Sequence, residues 1–103
     1  MRKVTIKAVE AMQNGENMVS GNTRVHSNGN VMELHGNTIA IFDRIEGKLT
    51  LRDCGWQTVT TKERLNGILS IFGSEWRIYQ MAGKWYITDG CGKREDWAGF
   101  LVI

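Results

Sequence analysis

Proline is absent from this sequence, and so is any long apolar run. Its twelve glycines are scattered at turn positions and form no low-complexity segment. These features predict a compact domain with short turns. The most apolar stretch, GFLVI, is far shorter than the ~20 residues of a membrane span and reads as a buried closing strand. The opening MRKVTIKAVEAMQNGE has early positive charges, but Lys7 and Glu10 interrupt its apolar residues, so no signal peptide and no membrane association are expected. Cysteine is scarce: Cys54 and Cys91 stand far apart, and His26 and His35 show no metal-motif spacing with them. The expected state is two reduced thiols in a cytoplasmic protein, with one disulfide or a Cys/His metal site as the alternatives. Charge of one sign is lacking too. A formal net charge of +2, from 13 basic and 11 acidic residues, leaves no global field to attract nucleic acid, although a local patch stays open.

What is present suits a single domain over residues 1–103, with an ordinary 42% apolar and 23% charged composition. Val4, Ile6, Ala8, Val9 and Met12 open the chain, and Ile6, Val9 and Met12 fit a helix that Asn14-Gly15 stops. Ser27-Asn28-Gly29-Asn30 sets an Asn-Gly pair between two runs of strand formers, the signal of a hairpin. The second run continues to Phe42, with a bulge or bend expected at Gly36-Asn37. Glu46-Gly47 turns into KLTLRD and completes a three-stranded antiparallel meander.

The stretch GWQTVTTKERLNG begins the clearest amphipathic helix. Thr60-Thr61-Lys62-Glu63 matches a capping box with Thr60 as the cap, and Leu65, Ile68, Leu69 and Phe72 follow at helical spacing. Gly73 is the expected stop. Gly67 inside the helix costs about 1 kcal/mol against alanine, which points to a close neighbour. Trp76 to Met81 alternates as a strand, Ala82-Gly83 turns into KWYIT, the loop DGCGKRED is a solvated turn, and WAGFLVI ends the chain. The expectation is an α+β fold of order α-β-β-β-α-β-β-β. It has one antiparallel sheet, the meander plus the C-terminal strands, with two helices packed on one side.

Chemistry-bearing signals are few. A helix N-terminus attracts anions, so Thr58, Thr60 and Thr61 with Lys62 and Arg64 form a candidate anion or nucleic-acid backbone site; the plainer reading is a helix cap. Arg24 and Arg52 could extend a basic face. His35-Gly36-Asn37 lies near Glu33 and Asp43, but no nucleophile, oxyanion loop, phosphate-binding loop or HExxH motif accompanies it. His35 and Asn37 are expected to bond backbone at a bent strand. No enzyme, no cofactor and no metal is expected. Of four tryptophans, two or three should be core, and Trp56, after a glycine in a loop, is the candidate for exposure.

The segments GNTRV, LHGNTIA, GWQTVTTKERLNGIL and WRIYQ…GKWYI together resemble a family of small tailed-bacteriophage proteins sharing an HGNxIA … GWxTxTTKxRLN pattern, over about residues 20–97. The resemblance implies a phage or prophage accessory protein acting in the host bacterial cytoplasm, and it carries no catalytic residue. The order α-β-β-β-α is also similar to that of the double-stranded-RNA-binding domain, which holds phosphates with basic residues where Lys62 and Arg64 fall here. That domain's lysine cluster is absent, and three more strands follow. The expected function is non-catalytic binding of a host protein, as an inhibitor or counter-defence factor. The alternative is a nucleic-acid-binding module using the second helix start. The candidate surface is Trp56, Thr58, Thr60, Thr61, Lys62, Arg64, Arg52 and Arg24. A homodimer through the C-terminal strand is a further expectation.

Overall fold

The first helix, α1 (Lys3–Asn14), ends where the sequence says it should. Gly15 takes the left-handed conformation at φ 70°, and its N–H caps the carbonyl of Ala11. The buried face of α1 is Thr5, Ala8, Val9, Ala11 and Met12, and Ile6 points outward. Threonine replaces isoleucine on the inner face because its hydroxyl joins a polar network described below. This computed structural model describes residues 1–72 and 75–103.

Five strands follow α1, not three: β1 (Met18–Ser20), β2 (Thr23–His26), β3 (Val31–Leu34), β4 (Asn37–Asp43) and β5 (Lys48–Arg52). The Asn28-Gly29 hairpin is present, with positive φ at both residues and the Asn30 N–H bonded to the Ser27 carbonyl. The bend expected at Gly36-Asn37 is instead a full two-residue hairpin turn. His35 at φ 52° and Gly36 at φ 78° reverse the chain and separate β3 from β4. Histidine tolerates the left-handed region better than most side chains, so His35-Gly36 works as an Asn-Gly turn does. The register irregularity lies at Met32/Glu33, opposite β4. The α-β-β-β-α order of the double-stranded-RNA-binding domain is therefore absent.

The second helix, α2 (Val59–Ile71), has its N-cap two residues before the expected Thr60. Thr58, extended at φ −109°, is the N-cap, and its hydroxyl accepts from the Thr61 N–H. Glu63 does not bond back to complete a capping box. Its carboxylate reaches α1, where it accepts from the Thr5 hydroxyl and the Arg2 N–H. The expected stop at Gly73 lies outside the described residues. Leu65, Ile68 and Leu69 are buried, as the periodicity predicts, and Phe72 is half-buried against Phe42.

Four strands complete the chain: β6 (Arg77–Met81), β7 (Lys84–Thr88), β8 (Arg94–Asp96) and β9 (Phe100–Val102). They do not all join the meander. β6-β7-β8 form a separate antiparallel sheet, while β9 returns to β5 and closes the order β1-β2-β3-β4-β5-β9. The protein is α+β with two antiparallel sheets. GFLVI is an edge strand and not a buried one, because the outer face of the large sheet is uncovered: Phe100 and Val102 are exposed and Leu101 is half-buried. One contiguous core joins α1, α2, the inner face of the large sheet, and Ile78, Trp85, Ile87 and Trp97 around the small one. Asn66 fastens α2 to β6 like an added strand. Its amide donates to the Ile78 carbonyl and accepts from the Ile78 N–H, both at 2.8 Å.

Gly67 sits where the two helices meet. A Cβ there would lie 2.7 Å from Thr5 Cγ2 and 3.2 Å from Val9 Cγ2. Gly67→Ala is expected to destabilise by about 1–3 kcal/mol through overpacking, outweighing the ~1 kcal/mol that alanine gains in helix propensity. Adding Thr5→Ser, which keeps the hydroxyl and removes Cγ2, should recover part of that loss in thermal unfolding. The same measurement checks the cap: Thr58→Ala should cost about 1 kcal/mol, and Thr60→Ala within about 0.5 kcal/mol.

Candidate functional site

A cleft of about 490 Å³ opens between the β3–β4 hairpin and the loop that leads into α2. Its apolar floor is Leu34 and Ile39, both buried. His35 and Asn37 form one wall, and Asp53 and the threonines of the α2 start form the other. Trp56 stands at the cleft and is 62% exposed. The sequence reading of the tryptophans holds: Trp85 and Trp97 are buried and Trp56 is not.

The loop wall is held by Asp53, whose role the sequence reading missed. This buried carboxylate accepts from the Gly55 N–H at 2.8 Å, from Trp97 Nε1 at 2.8 Å and from Gln57 Nε2 at 3.3 Å. The first bond is an Asx-turn, which suits the left-handed pair Cys54 and Gly55. The second ties the loop to a residue 44 positions away. Asp53 therefore acts as a structural anchor. The only signal in the sequence was the Asp-Cys-Gly turn, and nothing marked Trp97 as its partner.

The other wall is tied to the helices. The buried Arg64 guanidinium donates to Thr23 Oγ1 of β2, Thr5 Oγ1 of α1 and Glu63 Oε1. Thr23 in turn donates to Asn22 Oδ1 at 2.9 Å. The Asn22 carbonyl accepts the His35 N–H at 2.8 Å, and its side-chain amide faces His35 Nε2 at 3.4 Å. The His35 main chain thus bonds across to the β1–β2 turn, while its imidazole meets a side-chain amide and not the backbone partner expected for it.

The eight residues read as one surface divide into separate places. Trp56, Thr58, Thr60 and Thr61 line the cleft. The Thr58 hydroxyl is the helix cap, Thr61 is buried beside it at 3.0 Å, and Thr60 accepts from Arg2 Nη1 at 3.1 Å. Lys62 lies over the Trp85 ring at 5.7 Å. Arg64 is 2% exposed and fully engaged inside, so it presents no charge to a ligand. Arg24 and Arg52 alternate with the core residues Val25 and Leu51, which puts them on the opposite, outer face of the large sheet. The basic face drawn through Arg24, Arg52, Lys62 and Arg64 does not form.

Cys54 and Cys91 are free and exposed, and Cys54 Sγ lies 3.1 Å from the Thr38 carbonyl. Among the described residues no cluster of three or more His, Cys, Asp or Glu side chains is placed to hold a metal ion. No described helix is long and apolar enough to cross a membrane.

The chain matches, over residues 1–102, the family model described as Kyanoviridae Gp96 protein. It belongs to that family. No curated protein and no solved structure matches the chain. This is a phage protein family, so the origin implied by the HGNxIA and GWxTxTTKxRLN resemblance holds. Membership gives an origin and not a reaction.

Electrostatics where α1 meets α2 generate a pH dependence. Burial pushes the Glu63 carboxyl up. The Thr5 hydroxyl, the Arg2 N–H and the charges of Arg2 and Arg64 together outweigh it and hold Glu63 below the usual glutamate range. Burial also pushes the Arg64 guanidinium down, with Glu63 opposing the shift. A lowered folded-state carboxyl contributes stability that is complete above its unfolded pKa and is lost as pH falls through the folded one. Glu63→Gln is expected to be less stable than the parent at neutral pH. Its stability should then fall less steeply between neutral and acid pH, as followed by thermal unfolding across that range.

Proposed function

We propose that this phage protein is an accessory factor that binds a host protein in the bacterial cytoplasm and alters its activity without catalysing a reaction on it. The observation that carries this reading is the exposed Trp56 beside a cleft with a buried aliphatic floor. Val59, at the first turn of α2, is also 63% exposed. A large indole left in water beside an apolar pocket is the composition of an interface anchor. The polar groups around the cleft support the same reading. Asp53, Thr58, Thr60 and Thr61 are engaged in holding the loop and helix, so the cleft offers shape and apolar area more than reactive groups. A partner would seat an apolar side chain on Leu34 and Ile39, under the Trp56 indole.

The nucleic-acid alternative at the start of α2 is the weaker reading. Arg64 is buried, and Arg24 and Arg52 face away from the helix start.

The test is capture from host lysate by the tagged protein and by its Trp56→Ala variant, with and without nuclease. A host protein that survives nuclease and is lost with Trp56→Ala, at unchanged melting temperature, is the expected result. The purified pair should then show a loss of roughly 30-fold or more in affinity for the variant, corresponding to a hot-spot residue of about 2 kcal/mol. Failure to retain any host protein after nuclease, or retention that ignores Trp56, would overturn the proposal.

A further inference from the structure

The small sheet has one face in the core and one in solvent. Ile78, Trp85 and Ile87 are buried, and the alternate residues of β6 and β7 point outward. On that outer face Tyr79 and Tyr86 are directly paired across the strands, with ring centroids 5.6 Å apart and a 27° angle between planes. Cations surround them. The Arg94 guanidinium lies 4.5 Å over the Tyr86 ring, and Lys84 Nζ lies 5.7 Å from it. Arg77 and Arg94 both pair with Thr88, one from each side, so they stand in the same row beside the tyrosines. The one acidic side chain of this face is Asp96, opposite Tyr86 and bridged to Lys84 at 3.1 Å. Nothing in the net charge of +2 announces this local excess.

We propose that the outer face of β6-β7-β8 binds a single-stranded nucleic acid, with bases stacked at Tyr79 and Tyr86 and phosphates held by Arg77, Lys84 and Arg94. Stacking platforms flanked by cations suit single strands, because every unpaired base has a π-face and every linkage a negative charge. A duplex hides its bases and offers only the charge. Arg94 already occupies the place a base would take over Tyr86. A base would take that place on the ring, and the displaced guanidinium would turn to the adjoining phosphate. Asp96 opposes binding by neutralising Lys84. This surface shares no residue with the cleft, so its success or failure is independent of the host-protein proposal.

Anisotropy of labelled oligo-dT and oligo-U with the full chain tests it. Either strand should bind with a log–log salt slope of about −2, from three phosphate contacts at about −0.7 each. An unlabelled duplex should compete poorly. Tyr86→Leu should weaken binding about ten-fold and Tyr86→Phe should leave it intact. Arg94→Gln should reduce the slope to about −1.4, and Asp96→Asn should tighten binding. Trp56→Ala should change nothing. Absence of binding by both oligonucleotides at low salt would overturn the proposal. So would equal affinity for duplex, or unchanged binding by Tyr86→Leu at an unchanged melting temperature.

Discussion

The structure depends on the burial of one guanidinium. Arg64 sits at 2% exposure among α1, α2 and β2, and removing a charge from water costs several kcal/mol unless its donors are matched. Here they are matched, by two threonine hydroxyls and a carboxylate on three different elements. Among the described residues no buried side-chain nitrogen or oxygen is left without a hydrogen-bond partner. The same requirement shapes the neighbours. Thr5 must face inward, which displaces Ile6 outward. Gly67 must lack a Cβ, because the helices have to approach closely enough for Thr5 to reach Arg64 and Glu63. Loss of one partner from such a group typically costs 3–5 kcal/mol, so these positions are constrained together.

The cleft inherits its shape from that constraint and from a second one. On one side the chain Arg64–Thr23–Asn22–His35 runs from the helix interface to the hairpin wall. On the other, Asp53 joins the loop before α2 to Trp97. Both walls are therefore held by contacts between residues distant in sequence, and the cleft is largely preformed. A preformed apolar site loses little conformational entropy when a partner docks. This favours recognition by shape, with Trp56 as the exposed group most able to gain from burial.

Local signals were legible in the sequence, and signals that depend on partners were not. The Asn28-Gly29 and Ala82-Gly83 turns, the Gly15 cap and the α2 periodicity each rest on backbone conformation or spacing within a few residues, whereas Gly67 showed only a local helix penalty whose cause lies on α1. The His35-Gly36 hairpin was missed because strand formers continue on both sides and a His-Gly pair is a weaker turn signal than Asn-Gly. The Thr60 cap failed for a different reason. Three threonines in TVTT can each cap, and Glu63 appeared to choose Thr60, yet Glu63 is engaged by Arg2 and Thr5, about sixty residues away. Of the cleft, Trp56, Thr58, Thr60 and Thr61 could be named in advance, while Asp53 and the aliphatic floor could not, since they meet only after the sheet forms.

Charge shows most clearly what a count cannot say. Arg64 is consumed by the helix interface. Arg44 binds the Met12 carbonyl at the end of α1 and the Asn30 side chain at 2.7 Å, and lies over Phe42 at 5.3 Å. Arg2 braces Glu63 and Thr60. Three arginines that count toward the net charge therefore work as fold elements. Meanwhile Arg77, Lys84 and Arg94 gather on one strand face because alternation along β6, β7 and β8 turns them the same way. A balanced composition thus conceals two populations of cations, one spent on holding the fold together and one gathered on a strand face. The second stands on the small sheet, away from the helix start, whose own arginine is buried.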